Sequence, residues 1–168
     1  VLSRRQRQMC IRDSSMCFKG ESLIYTTGSQ EFAATEWQHD LLSNGSSGTV
    51  CVNDLDGSKT RTLIKGLAWP TGVTFIEKME FCISESWKHR ISFHELGDNQ
   101  SSASKLDKEI NKLPAYPGKS FFNYSNKELL VCFFAPRNQL VEFILTEEEF
   151  KRRICLLYTS PSPRDGRE

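Results

Sequence analysis

One pattern constrains this chain more than any other: short apolar strands and tight turns recur as a unit of nearly fixed length. Gly66-Leu67-Ala68-Trp69-Pro70-Thr71-Gly72-Val73-Thr74-Phe75 leads into Phe81-Cys82-Ile83-Ser84-Glu85 and then Ile91-Ser92-Phe93. Tyr116-Pro117-Gly118-Lys119-Ser120-Phe121-Phe122 leads into Leu129-Leu130-Val131-Cys132-Phe133-Phe134 and then Leu140-Val141-Glu142-Phe143. Runs rich in β-branched and aromatic residues between turn residues read as strands, which places Ile91 and Leu140 in equivalent positions 49 residues apart. An earlier partial copy runs through Leu23-Ile24-Tyr25, Gly48-Thr49-Val50-Cys51-Val52 and Arg61-Thr62-Leu63-Ile64. Antiparallel meanders at this period are the blades of a β-propeller. The expected fold is all-β, an incomplete β-propeller of about two and a half blades. About ten strands are expected over residues 20–145. Between the sheets the pattern places Val50, Val52, Val73, Phe75, Phe81, Ile83, Ile91, Phe93, Leu130, Cys132, Leu140 and Phe143. Blades bury their cores only against neighbours, and bare strand edges template aggregation, so the chain alone is expected to be insoluble or molten.

The two ends follow a different logic. Arg4-Arg5-Gln6-Arg7-Gln8-Met9-Cys10-Ile11-Arg12-Asp13 and Cys155-Leu156-Leu157-Tyr158-Thr159-Ser160-Pro161-Ser162-Pro163-Arg164-Asp165 share nothing with the repeat. Both look like translated sequencing adapters and are set aside, the alternative being a basic arm and a Pro/Ser tail. This divides the chain into residues 1–14, a propeller fragment at 15–154, and residues 155–168. The formal charge of +1 includes +3 from residues 1–14 and none from 155–168, so residues 15–154 carry −2. No basic patch remains to argue for nucleic acid.

Within the fragment, Cys51, Cys82 and Cys132 lie in apolar runs and read as buried thiols, and Cys17 completes no metal-ligand spacing. No 18-residue apolar run suggests a membrane span. Asn44-Gly45-Ser46, Asn99-Gln100-Ser101 and Asn123-Tyr124-Ser125 fit the glycan acceptor pattern, a weak lean to the secretory pathway. Thr35 is a cap for a short helix through Leu42, with Trp37 and Leu41 on one face. Asn53-Asp54-Leu55-Asp56-Gly57 and Glu77-Lys78 read as hairpin turns, residues 105–113 as an exposed outer strand, and residues 146–154 as a charged helical turn.

Most chemical motifs fail on inspection. Gly118-Lys119-Ser120 imitates a phosphate loop, but Leu113 stands where the first glycine belongs and Pro114 and Pro117 remove backbone donors. Gly45-Ser46-Ser47-Gly48 is no nucleophile elbow. His39, His89 and His94 share no ligand spacing, and His94 reads as a surface strand residue. Glu85, at a strand end, is either a buried acid bonded to neighbouring amides or an acid lining a channel; His89 is either an ordinary loop residue or a pocket residue.

The order of short motifs resembles the strictosidine synthase-like family. The likeness runs from the Tyr25 strand through Lys65-Gly66-Leu67, Pro70-Thr71-Gly72-Val73 and Ser84-Glu85-Ser86-Trp87-Lys88-His89-Arg90-Ile91. It continues through Leu113-Pro114-Ala115-Tyr116-Pro117 and Phe134-Ala135-Pro136-Arg137-Asn138, covering nearly all of residues 20–154. The resemblance implies a six-bladed propeller related to paraoxonases and gluconolactonases, with a small-molecule pocket at the central channel and, in some relatives, a catalytic calcium. It also shows departures. Gly28, Thr71 and Gly118-Lys119 stand where metal-using relatives place oxygen ligands. Calcium takes six to eight oxygens, several of them anionic, so a family-type calcium site is not expected here and the expected metal is none. Two functions follow: a small-molecule hydrolase or synthase without that metal, or a non-catalytic propeller binding a ligand or protein partner. For the first, Glu85 is the candidate acid and His89 the candidate proton shuttle, with Thr71, Lys119 and Trp37 lining the pocket.

Overall fold

The structure, a computed structural model, describes residues 13–54, 59–98 and 100–159. Ten strands form three antiparallel sheets. The first holds β1 (Asp13–Lys19), β2 (Ser22–Thr27), β3 (Gly48–Asp54) and β4 (Thr60–Leu67) in chain order. The second repeats the meander with β5 (Pro70–Phe75), β6 (Glu80–Glu85), β7 (Arg90–Leu96) and β8 (Ala103–Ile110). The third has only β9 (Ala115–Asn123) and β10 (Glu128–Pro136). A 3-10 turn (Ala34–Glu36) leads into α1 (Trp37–Leu42), and α2 (Gln139–Thr146) and α3 (Glu148–Thr159) follow β10. This is an incomplete β-propeller.

Alternation along β6 decides which sheet each side chain meets. Phe81 and Ile83 point into the core shared with the first sheet, among Ile24, Val50, Val52 and Val73. Cys82 points the other way and packs with Ile91 and Phe93 under Leu129 and Val131 of β10. The first strands β1, β5 and β9 are the innermost and touch across the sheets. The Val73 amide donates to Ser15 Oγ at 3.4 Å, and Thr74 Oγ1 donates to the Ser120 carbonyl at 2.7 Å. Gly72 is required at this approach, since a Cβ there would stand 2.7 Å from the Gly118 carbonyl oxygen.

Several expectations need correction. Leu140 and Phe143 lie on α2, not on a strand, and are 65% and 52% exposed. The Asn138 side chain caps that helix, accepting from the Leu140 amide at 2.9 Å and the Val141 amide at 3.4 Å, and Arg137 pairs with Glu142 across its first turn. Ile91 and Leu140 are therefore not equivalent. On β10 the parity is reversed: Leu129 and Val131 face the core, while Leu130 is 54% exposed and Cys132 is exposed. The run from Leu129 to Phe134 is apolar on both faces, and a one-residue slip exchanges them. His94 is not a surface residue; it is buried, stacked on Phe81 with ring centroids 5.6 Å apart. Thr35 makes no cap; the Glu36 carboxylate accepts from the Ala33 amide at 3.0 Å instead. Strand β1 was not expected as an element at all, and its Asp13 pairs with Thr27, so the segment set aside at 1–14 gives its last two residues to the first sheet. Residues 155–159 continue α3. The rest of both end segments, and residues 55–57 of the expected Asn53–Gly57 turn, lie outside the described residues.

Candidate functional site

The inner strands all begin at one end of the sheets, and a cluster of rings gathers there. Trp69 immediately precedes β5, and Trp87 and His89 sit in the turn between β6 and β7. That turn is fastened beside Trp69: the Ser86 amide donates to the Trp69 carbonyl at 3.1 Å and the Trp87 amide to the Ala68 carbonyl at 3.3 Å. Trp69 and Trp87 stack with centroids 5.2 Å apart. Trp37 of α1 lies 6.2 Å from Trp87, and Tyr116 of β9 meets it edge-on at 6.0 Å. Tyr116 in turn packs against His89 at 4.4 Å and stacks on Phe134 at 5.7 Å. All three sheets thus contribute, since the Trp69 ring also covers Gly28, where a Cβ would come within 3.1 Å of it. Trp69 and His89 adopt positive φ, 53° and 47°. Bulky residues hold that conformation only where the surroundings enforce it, at about 1–3 kcal/mol each.

Polar atoms are buried among these rings. Trp87 Nε1 donates to Asp40 Oδ2 at 2.7 Å. Asp40 is 1% exposed, and its Oδ1 has no partner among the described residues. His89 Nε2 and the Tyr116 hydroxyl are likewise buried without partners. Burial first, and the Arg137 charge second, push the His89 imidazole below its ordinary value, with Glu142 opposing. Burial pushes the Tyr116 phenol up, and Glu142 adds to it against Arg137. Both side chains are therefore neutral near pH 7.

The expected residues divide between places. Thr71, His89 and Trp37 come together at this end. Thr71 Oγ1 and Ser86 Oγ lie 2.8 Å apart, and they stand 2.8 and 2.7 Å from the Pro117 carbonyl oxygen. One hydroxyl donates to the carbonyl and the other to its neighbour, tying the second sheet to β9. Lys119 lies further along the inner strands, exposed on an open groove of about 500 Å³ lined also by Ser15, Val73, Thr74, Ser120 and Phe121. Glu85 is on the other side of the second sheet from His89. It is fully buried, accepting from the Ala68 amide at 3.0 Å, Arg90 Nε at 2.7 Å and Ser92 Oγ at 3.4 Å. Glu85, His89 and Lys119 are not brought into one pocket.

Asp40, Trp69, Trp87, Tyr116 and Phe134 were not singled out from the sequence. A signal existed: Trp69-Pro70 and Tyr116-Pro117 repeat an aromatic-proline step at the start of two inner strands. Among the described residues no group of three or more His, Cys, Asp or Glu side chains is placed to hold a metal ion. None of their helices is long and apolar enough to cross a membrane.

The sequence matches no protein-family model and no curated protein. Solved structures do match. A structure described as a gluconolactonase superposes with a TM-score of 0.56 at 12% identity, over 72% of this chain and 41% of that one. The nidogen/laminin complex gives 0.50 at 13% identity, over 71% and 38%. A luciferin-regenerating enzyme gives 0.48 at 14% identity, over 68% and 36%. The chain thus spans about two fifths of the length of these proteins. What it shares with the gluconolactonase structure is the propeller fold.

Proposed function

We propose that this chain is part of a six-bladed, strictosidine synthase-like propeller protein that binds a small molecule at the end where its inner strands begin. One observation carries this reading. Asp40 Oδ1, His89 Nε2 and the Tyr116 hydroxyl are buried around Trp87 with no partner among the described residues. Buried polar atoms almost always have partners, and an unpaired one costs about 1–3 kcal/mol. Apolar walls with a few convergent polar groups are the ordinary make-up of a ligand pocket. The proposal includes no family-type calcium. Gly28 offers no side-chain oxygen and faces a tryptophan ring, the Thr71 hydroxyl is engaged with Pro117 and Ser86, and Lys119 brings a positive charge.

The engagement of Glu85 favours the non-catalytic version of this function. An acid whose oxygens already hold Arg90, Ser92 and a backbone amide is not free for proton transfer. His89 remains the candidate proton shuttle should the parent prove catalytic. Secretory processing is part of the proposal through Asn44, which is exposed in a turn at φ 53° within Asn44-Gly45-Ser46. Expression in a secretory host should then give a glycosidase-sensitive mass shift that Asn44→Gln removes.

Tyr116→Phe tests the pocket. A hydroxyl reserved for a ligand contributes nothing to the unliganded fold, so the variant should be as stable as the parent or slightly more so. A loss of about 1 kcal/mol or more would mean that the hydroxyl has a structural partner, and the pocket reading would fall. Millimolar calcium should leave the melting temperature unchanged; a large rise would overturn the metal-free reading.

A further inference from the structure

The Asp40 carboxylate belongs to a loop that is closed on itself. Between Thr27 and Gly48 the chain leaves the first sheet and returns to it, and the two ends of the excursion meet: Ser29 Oγ and Ser47 Oγ lie 2.9 Å apart. Ser47 Oγ accepts from the Gln30 amide at 3.0 Å, and Ser29 Oγ from the Glu31 and Phe32 amides at 3.2 and 3.1 Å. This neck is fixed to the sheets. Thr27 and Thr49 pair beside it, Gly28 lies under the Trp69 ring, and Gly48 approaches Pro70 so closely that a Cβ would collide with it.

Beyond the neck the loop packs against itself. Phe32 stacks on His39 with centroids 6.2 Å apart. After α1 the Ser43, Asn44 and Gly45 amides donate back to the His39, Leu41 and Asp40 carbonyls at 2.9, 3.1 and 2.8 Å. Among the described residues, one hydrogen bond of residues 31–46 reaches outside the loop, from Trp87 Nε1 to Asp40 Oδ2. Trp37 packs on the same indole, and α1 also approaches α3. The balance at this contact is close. A bond to a carboxylate is stronger than one between neutral groups, but Asp40 Oδ1 is buried without a partner, and water would serve it once the loop lifted.

We propose that residues 30–46 are a lid that swings on the Ser29–Ser47 neck and is latched to Trp87 by Asp40. A fixed neck with one polar latch lets a self-packed loop move as a body. Opening parts Trp37 from Trp87 and bares the indole N–H and the carboxylate in one movement. That this movement admits a ligand rests on the pocket reading; the movement itself does not.

The indole hydrogen of Trp87 reports the latch directly. In the full chain at low concentration, corrected for intrinsic rates, it should exchange at least about tenfold faster than the slowest β6 amides. Gly45→Ala releases the latch without touching the rings, because a Cβ at Gly45 would collide with the Asp40 carboxylate. In that variant the indole hydrogen should exchange about tenfold faster again. The nuclear Overhauser contacts between Trp37 and Trp87 should weaken with it, while the Gln30, Glu31 and Phe32 amides and those of β6 and β7 keep the parent's rates. These results would support the lid whatever Tyr116→Phe shows of the pocket. Exchange of the indole together with the β6 amides in the parent overturns the proposal, because the loop then opens only when the sheets do. An unchanged indole rate in Gly45→Ala overturns it as well. So does a faster rate with the Trp37–Trp87 contacts intact, which would mean that the carboxylate slips alone, or with the neck amides exposed, which would mean that the loop unravels.

Discussion

The second and third sheets begin alike and end differently. Each opens with an aromatic-proline step and an inner strand, and each turns back through an apolar second strand. The second sheet lies between two neighbours, and its side chains are buried on both faces: Phe81 and Ile83 toward the first sheet, Cys82 and Ile91 toward the third. Among the described residues the third sheet has a neighbouring sheet on one face only. Leu129 and Val131 are covered while Leu130, Phe133 and Phe134 are 54%, 44% and 56% exposed. Similar apolar sequence thus gives a core strand in one sheet and a half-solvated strand in the other. In a repeat protein, burial is set by the neighbouring unit as much as by the strand itself.

The strongest way to break this comparison is to truncate a covered apolar residue of the second sheet and an uncovered one of the third. Phe81→Ala should cost about 3–5 kcal/mol, because it empties the centre of the first interface, whereas Leu130→Ala should stay within about 0.5 kcal/mol. Native-state hydrogen exchange at low concentration would measure both, and equal losses would mean that the third sheet is covered after all.

Acid should also separate the sheets. Burial, foremost, pushes the His94 imidazole down to about 4, with Glu85 opposing and Lys105 and Arg90 assisting. Its neutral form accompanies a hydrogen bond to Ser92, 3.0 Å away. The fold disfavours protonation, so this contribution is complete above the ordinary pKa of 6.5 and is lost as pH falls from there toward about 4. The total is about 3 kcal/mol, read from the pH dependence of exchange in β6 and β7, and His94→Gln should flatten it.

A smaller effect sharpens the comparison at the join. Thr71→Ala leaves Ser86 to donate to the Pro117 carbonyl and should cost about 0.5–1.5 kcal/mol. Combining it with Ser86→Ala strands that carbonyl, so the double variant should lose more than the two singles together, as a double-mutant cycle would show. Least of all should Leu130→Lys alter stability, by about 0.5 kcal/mol at most, yet it should raise the solubility limit by charging an exposed apolar face.

Much of the architecture was legible in the sequence because strand formation is a local property. The β-branched and aromatic runs with their turns gave the meander, the outer strand near residues 105–113 and the buried Val50, Val52, Phe81 and Ile83. What escaped depended on parity or on partners. The run Leu129 to Phe134 has no polar residue to mark its outer face, so the choice between Leu129 and Leu130 was open to a slip. Leu140-Val141-Glu142-Phe143 satisfies a strand pattern and a capped helix alike, and Asn138 decides for the helix. The ring cluster was harder still. Asp40, Trp87 and Tyr116 are far apart in sequence, and nothing local marks Asp40 as the acid that receives the indole N–H.

The hydroxyl pair of Thr71 and Ser86 has a consequence for the order of assembly. Its acceptor, Pro117, lies 46 and 31 residues further along the chain. During synthesis the second meander emerges first, and its two hydroxyls face water until β9 arrives. The ribosome therefore delivers the donors before the acceptor. Docking of β9 is the step that removes them from solvent and closes the mouth where His89 and Tyr116 meet. An early pause in translation before Pro117 would leave a second sheet that is folded but not yet committed to its neighbour, and Tyr116 and Phe134 would join the tryptophan stack only after the pause ends.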